Sequence, residues 1–190
     1  MPRARAGTPP ATPWSLRSST AAIALLLLSV TTSVQANIQA CEVLDAAAVS
    51  AMVGVKMELA PVPNRREANI DGVLTSGCLF KGGESILVLI GLQTFPSKDA
   101  ASKEYAVQRA GPVPPIPRPP GVPPVEDERG VGDAGFWYQG PPIVYGIQVL
   151  KDARLFSVQF EFRGTQPGAN RSAGLKDRSR PILQAAMRKL

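Results

Sequence analysis

Four carboxylates lie close together in the sequence: Glu126, Asp127, Glu128 and Asp133. Gathered in space they could hold a calcium ion, or act as the acid and base of glycoside cleavage. Their spacing matches no known calcium loop, and a solvated acidic turn is the simpler expectation. Trp137, Tyr138 and Tyr145 are the aromatics that could offer a stacking platform to a sugar or a peptide. If Trp137 and Tyr138 occupy one strand they point to opposite faces, so at least one belongs to the core.

Other chemistry is excluded by what the chain lacks. It contains no histidine, which removes Ser-His-Asp and Cys-His catalysis, histidine-bound zinc and histidine-ligated haem. Neither a Gly-x-Ser-x-Gly elbow nor a Ser-x-x-Lys pair is present. Gly130-Val131-Gly132-Asp133-Ala134-Gly135 is a literal G-x-G-x-x-G. A dinucleotide site needs a strand before it and a helix after it. Here an acidic run precedes and the strand-like Phe136-Trp137-Tyr138 follows, so the glycines read as a flexible lead into a strand. No catalytic residue, cofactor or metal ligand is assigned.

The first forty residues say where the chain works. Arg3, Arg5 and Arg17 precede an apolar stretch from Ala21 to Val30, and Val34-Gln35-Ala36 has the small-x-small form of a signal-peptidase site. Residues 1–36 therefore read as a signal peptide, with a single exported domain over 37–190. The apolar stretch falls short of the roughly 20 residues that span a bilayer, so no stable transmembrane anchor is expected. Ile38-Gln39-Ala40-Cys41 loosely resembles a lipobox, which would make Cys41 a lipid anchor instead. Cys41 and Cys78 are the two cysteines, both beyond Ala36, and in an oxidising compartment they are expected to pair.

The formal charge of +6 includes the three arginines of the signal. Without them it is +3, too small for a nucleic-acid partner without a clustered basic face. The C-terminal Arg171, Lys176, Arg178, Arg180, Arg188 and Lys189 could touch anionic lipid or wall polymer, but such a pattern usually marks the wet face of a packed helix.

The elements that must position these groups follow from pattern. Asp45 caps a helix over 46–53 that ends at Gly54, and Val55–Leu59 reads as a strand. Pro61–Asp71, with Arg65 and Arg66, reads as a polar loop. Val73–Phe80 and Ser85–Gln93 form a hairpin around Lys81-Gly82-Gly83-Glu84. Ile86–Ile90 is apolar throughout, which predicts a central strand covered on both faces. Its cover is a second helix, Ser97-capped, from Lys98 to about Arg109, with Ala101, Tyr105 and Val107 or Gln108 near its buried edge.

Gly111–Pro124 holds eight prolines in fourteen residues and reads as an extended loop, either a stiff connector or a docking segment for a partner. Three strands follow, over 135–139, 143–150 and 154–162, with Gly140-Pro141-Pro142 and Lys151-Asp152-Ala153 as turns. Pro181 opens a closing helix to Leu190. The expectation is an α+β fold: an antiparallel sheet of about six strands with three packed helices, in the order α-βββ-α-βββ-α, which suggests a duplicated unit.

Cys41-Glu42-Val43-Leu44 opening a helix that ends at Gly54, Cys78-x-Phe80 on a strand, and Val131-Gly132-Asp133-Ala134 entering another together carry a resemblance. The chain resembles small exported domains of unknown function found in actinobacterial lipoproteins and in the extracellular sensor of a mycobacterial receptor kinase. The resemblance covers most of residues 41–190 and implies a helix-to-strand disulfide and an extracytoplasmic binding or sensing role, with no catalytic residues to carry over. The chain departs from the pattern in its poor lipobox and its long proline loop. The functional expectation is a non-enzymatic binding or sensing domain of the bacterial cell envelope, whose partner is an envelope protein or polymer. The alternatives are a small hydrolase using carboxylates alone and a structural envelope protein.

Overall fold

Alternating apolar residues build the centre of the molecule. In Arg154–Phe162, the residues Phe156, Val158, Phe160 and Phe162 are all buried, as their alternation requires. The computed structural model describes residues 38–60, 67–68, 72–111, 125–140, 144–163 and 169–190. The signal peptide expected over 1–36, most of the 61–71 loop, residues 112–124 of the proline-rich segment, and Pro141 to Ile143 lie outside the described residues.

The order is α1 (Ala40–Val43), α2 (Ala46–Val53), β1 (Glu58–Leu59), β2 (Glu67–Ala68), β3 (Leu74–Gly82), β4 (Ile86–Thr94), α3 (Lys98–Ala110), β5 (Glu126–Glu128), β6 (Ala134–Gly140), β7 (Val144–Lys151), β8 (Arg154–Phe162) and α4 (Ala169–Met187). The sheet is antiparallel, with strands in the order β1-β3-β4-β8-β7-β6-β5 and β2 beside β3. The α+β class stands, but described strands and helices outnumber the six and three expected.

Register divides the sheet into two faces. Cys78, Phe80, Val88, Ile90, Trp137, Tyr145, Ile147, Val149 and the β8 aromatics share one face, the core face, under α1, α2 and α4. On the other face α3 lays Ala101 on Leu150 and Leu155, with Phe95, Tyr105 and Ala134 around them. The helix that follows β4 and the helix that follows β8 thus pack on opposite faces. The halves are not equivalent, and the suggestion of a duplicated unit finds no support.

Helix caps behave as their residues dictate. Asp45 accepts from Ala48 N–H at 2.8 Å, and Gly54 ends α2 at φ 85°. Ser97 caps α3 through Ala100 N–H at 3.1 Å. In α3, Val107 is 61 % exposed, so Gln108 lies nearer the protein than Val107 does.

Three expectations need correction. Ile86–Ile90 belongs to a central strand but is covered on one face only, with Leu89 46 % exposed, because α3 crosses β7 and β8 rather than β4. Pro181 lies inside α4 rather than at its first turn. Proline removes one intrahelical donor, yet the helix continues through it because Leu175, Leu183, Ala186 and Met187 bury one continuous stripe against the core. Glu126–Glu128 is a strand rather than an acidic turn, paired with Gly135–Trp137.

Candidate functional site

Cys41 on α1 and Cys78 on β3 form a disulfide with Cα atoms 5.4 Å apart. The bridge occupies the Sγ that a lipid anchor at Cys41 would need. α1 is further held by Ser76 Oγ, which accepts from Ala40 N–H at 2.9 Å, and by Lys189, whose ammonium donates to the Val43 carbonyl at 3.0 Å. Arg178 likewise donates to the Met52 carbonyl at the end of α2, at 2.9 Å. Arg178 of α4 and Lys189 just beyond it thus satisfy helix C-terminal carbonyls. Lys176 and Arg180 pair with Glu126 and Glu128, so these four cations are each engaged by another part of the fold.

The four carboxylates do not converge, because strand alternation sends Glu126 and Glu128 to the core face and Asp127 to the other. Glu128 is buried beneath α4, where Trp137 Nε1 donates to it at 2.7 Å and Arg180 Nε at 2.8 Å. Burial pushes its carboxyl up, but the hydrogen bonds from Arg180 and Trp137 outweigh that and hold it below the ordinary 4.5. Lys176 pairs with Glu126 and stands 5.8 Å over the Trp137 ring. Among the described residues no group of three or more His, Cys, Asp or Glu is placed to hold a metal ion.

The three candidate aromatics separate. Trp137 and Tyr145 are 3 % and 9 % exposed on the core face, while Tyr138 is half-buried on the opposite face against Gly146, where a Cβ would meet the tyrosine ring at 2.2 Å. They form no common platform. Tyr138 instead continues a ladder of rings on the α3 face, with Phe136 6.1 Å from it and Tyr105 5.3 Å from Phe136 in an edge-on contact.

That ladder leads to a cleft of about 430 Å³ between α3 and the loop joining β5 to β6, lined by Tyr105, Arg109, Asp127 and residues 128–135. Its size falls in the range of small-molecule sites, roughly 300–1,000 Å³. Ion pairs bracket it: Arg109 to Asp127 at 2.8 Å, and Lys98 to Asp133 at 3.1 Å. Asp133 also accepts from Asp152 N–H at 2.9 Å and from Lys151 at 3.4 Å. The Asp152 amide bond leads in holding its carboxyl below the ordinary 3.8, against a smaller upward push from burial, and the lysines add to it.

The glycine loop is pinned, not a flexible lead. Val131 is buried in the core, Gln184 donates to the Gly130 carbonyl at 3.1 Å, and Asp133 N–H donates to the Leu150 carbonyl at 2.8 Å. Gly132 has φ 68°, and a Cβ there would lie 2.5 Å from both the Leu150 carbonyl oxygen and Val149 Cγ1. Gly130 has φ 81° but meets nothing nearer than 3.6 Å. Gly132→Ala is therefore expected to destabilise by at least about 2 kcal/mol, and Gly130→Ala by about 1 kcal/mol. Thermal melts of the two variants check this, and equal losses would contradict it. The loop enters and leaves through strands, so the G-x-G-x-x-G lacks the helix a dinucleotide site requires.

The cleft residues escaped the sequence reading because Tyr105 and Arg109 meet residues 127–135 only through the crossing of α3. The spacing of Tyr105 and Arg109, one helical turn, places them on one face of α3 but does not say what that face meets. No protein-family model matches the chain, and no characterised protein is significantly similar to it. No helix among the described residues is long and apolar enough to cross a membrane.

Proposed function

We propose that this chain is an exported, non-enzymatic binding or sensing domain of the bacterial cell envelope, and that the α3 cleft is its binding site. The observation that carries the binding site is the cleft itself: a small-molecule-sized space whose two walls are fixed by ion pairs and by a pinned loop. Such preorganisation lowers the ordering cost of binding. Export is supported by the form of the first 36 residues and by the Cys41–Cys78 bridge, which suits an oxidising compartment. The resemblance to exported sensor domains points the same way.

A carboxylate-only hydrolase is the weaker reading. A general acid of that chemistry needs a carboxyl raised toward neutrality, whereas Glu128 and Asp133 are both lowered. The test is a titration of the isotope-labelled, oxidised protein with the low-molecular-mass fraction of an envelope extract, followed by amide chemical shifts. Shifts are expected at Tyr105, Arg109 and residues 129–135. Turnover of a component of that fraction by catalytic amounts of protein would contradict the binding role.

A further inference from the structure

The charges around the cleft do not balance. The Arg109 guanidinium is taken up by Asp127, and the Asp133 carboxylate by Lys98 and Lys151. The Glu128 carboxylate is held by Arg180 and Trp137 of the core face. Arg129, exposed and lining the same cleft, has no acidic partner or hydrogen-bond acceptor among the described residues. Next to it, the backbone N–H groups of Gly130, Val131 and Gly132 have no backbone carbonyl partner among the described residues, although Asp133 N–H does. An exposed guanidinium without a partner among the described residues thus stands at the start of a loop that the fold holds in place.

The opposite wall has a different character. Tyr105 is half-buried, braced edge-on by Phe136, and burial raises its phenol above the ordinary 10.0. It presents a neutral ring rather than a charge. One wall therefore suits an oxyanion and the other an apolar body.

We propose that this cleft binds a small organic oxyanion, a carboxylate or phosphate carried on a ring-bearing or apolar body, with Arg129 taking the anion and Tyr105 the body. The proposal rests on the binding-domain reading and names the ligand class for it. A planar guanidinium matches either oxyanion through two parallel hydrogen bonds, and neighbouring amide donors add to its hold. Because Arg129 is exposed and makes no ion pair or hydrogen bond among the described residues, its removal is expected to leave the fold intact.

The test uses three probes of similar shape on the oxidised protein: benzoate, phenyl phosphate and the neutral benzamide, each titrated by amide chemical shifts. Saturable shifts are expected at Tyr105, Arg109 and residues 129–135 for at least one of the two anions, and the tighter anion identifies the oxyanion. Benzamide is expected to bind about tenfold more weakly. Arg129→Gln is expected to weaken the anion by about tenfold, while Arg188→Gln, on the far side of the sheet, leaves it unchanged. Equal binding of benzamide, or unchanged affinity in Arg129→Gln, overturns the ligand class and leaves the cleft as a binding site. Shifts located elsewhere overturn the proposal, as do contacts from prolines of the 112–124 segment to Tyr105 that persist at probe saturation. If neither these probes nor the envelope fraction moves the cleft residues, the binding-domain reading fails with it.

Discussion

Removing the Cys41–Cys78 bridge, by reduction or by the double change to alanine, is expected to cost about 4 kcal/mol. The bridge closes a sequence separation of 37 residues, and the loop-entropy relation gives that magnitude for a loop of this length. The loss should fall unevenly. α1 is a four-residue helix, too short to persist alone, and besides the bridge it is held by the Ser76 hydroxyl and the Lys189 ammonium. Amide exchange in residues 38–44 should accelerate more than exchange in β4 and β8. Uniform acceleration across the sheet, or a stability change below about 1 kcal/mol, would show that the bridge is not what secures α1.

Glu128→Ala should be the most damaging change of a charged residue, at about 2 to 3 kcal/mol. It leaves the buried Trp137 Nε1 without its acceptor and releases Arg180. The figure lies below that for a fully buried pair because the Arg180 side chain is 47 % exposed. Glu128→Gln, which keeps an acceptor for Trp137, should cost about half as much.

The same residue shapes the acid response. The carboxyls of Glu128 and Asp133 are both lowered in the folded protein, so in the window beneath their ordinary values of 4.5 and 3.8 the unfolded chain binds more protons. Their contribution to stability is complete above that window and is lost as pH falls through the folded values. Denaturant unfolding between pH 6 and pH 3 should show the loss, and Glu128→Gln should show a shallower acid limb. An identical limb in the variant would remove Glu128 from the account.

What was legible in the sequence was what local pattern controls. Phe156, Val158, Phe160 and Phe162 announce a one-sided strand, Asp45 and Gly54 mark both ends of α2, and Ser97 marks the start of α3. Local pattern misled where distant contacts overrule it. Glu-Asp-Glu has poor strand propensity, yet β5 forms because Glu126, Asp127 and Glu128 each meet a cation from a helix: Lys176, Arg109 and Arg180. Pro181 looks like a helix start, yet the apolar stripe from Leu175 to Met187 carries α4 through it.

The site was the least legible part. Trp137 and Tyr145 attracted notice as large aromatics and serve the core, while Tyr105, which lines the cleft, looked like one more residue on a helix edge. Nothing in the spacing of residues 105–109 and 127–135 reveals that α3 crosses the sheet to meet the loop.

We propose that this domain is processed and oxidised outside the cytoplasm, a compartment that suits the Cys41–Cys78 bridge. Mass spectrometry of the unreduced protein recovered from fractions of the cells that produce it tests this most directly. The expected result is a chain beginning at Asn37, with the peptides holding Cys41 and Cys78 joined by a disulfide. A chain still beginning at Met1 with free thiols, or one beginning at a lipid-modified Cys41, would contradict it.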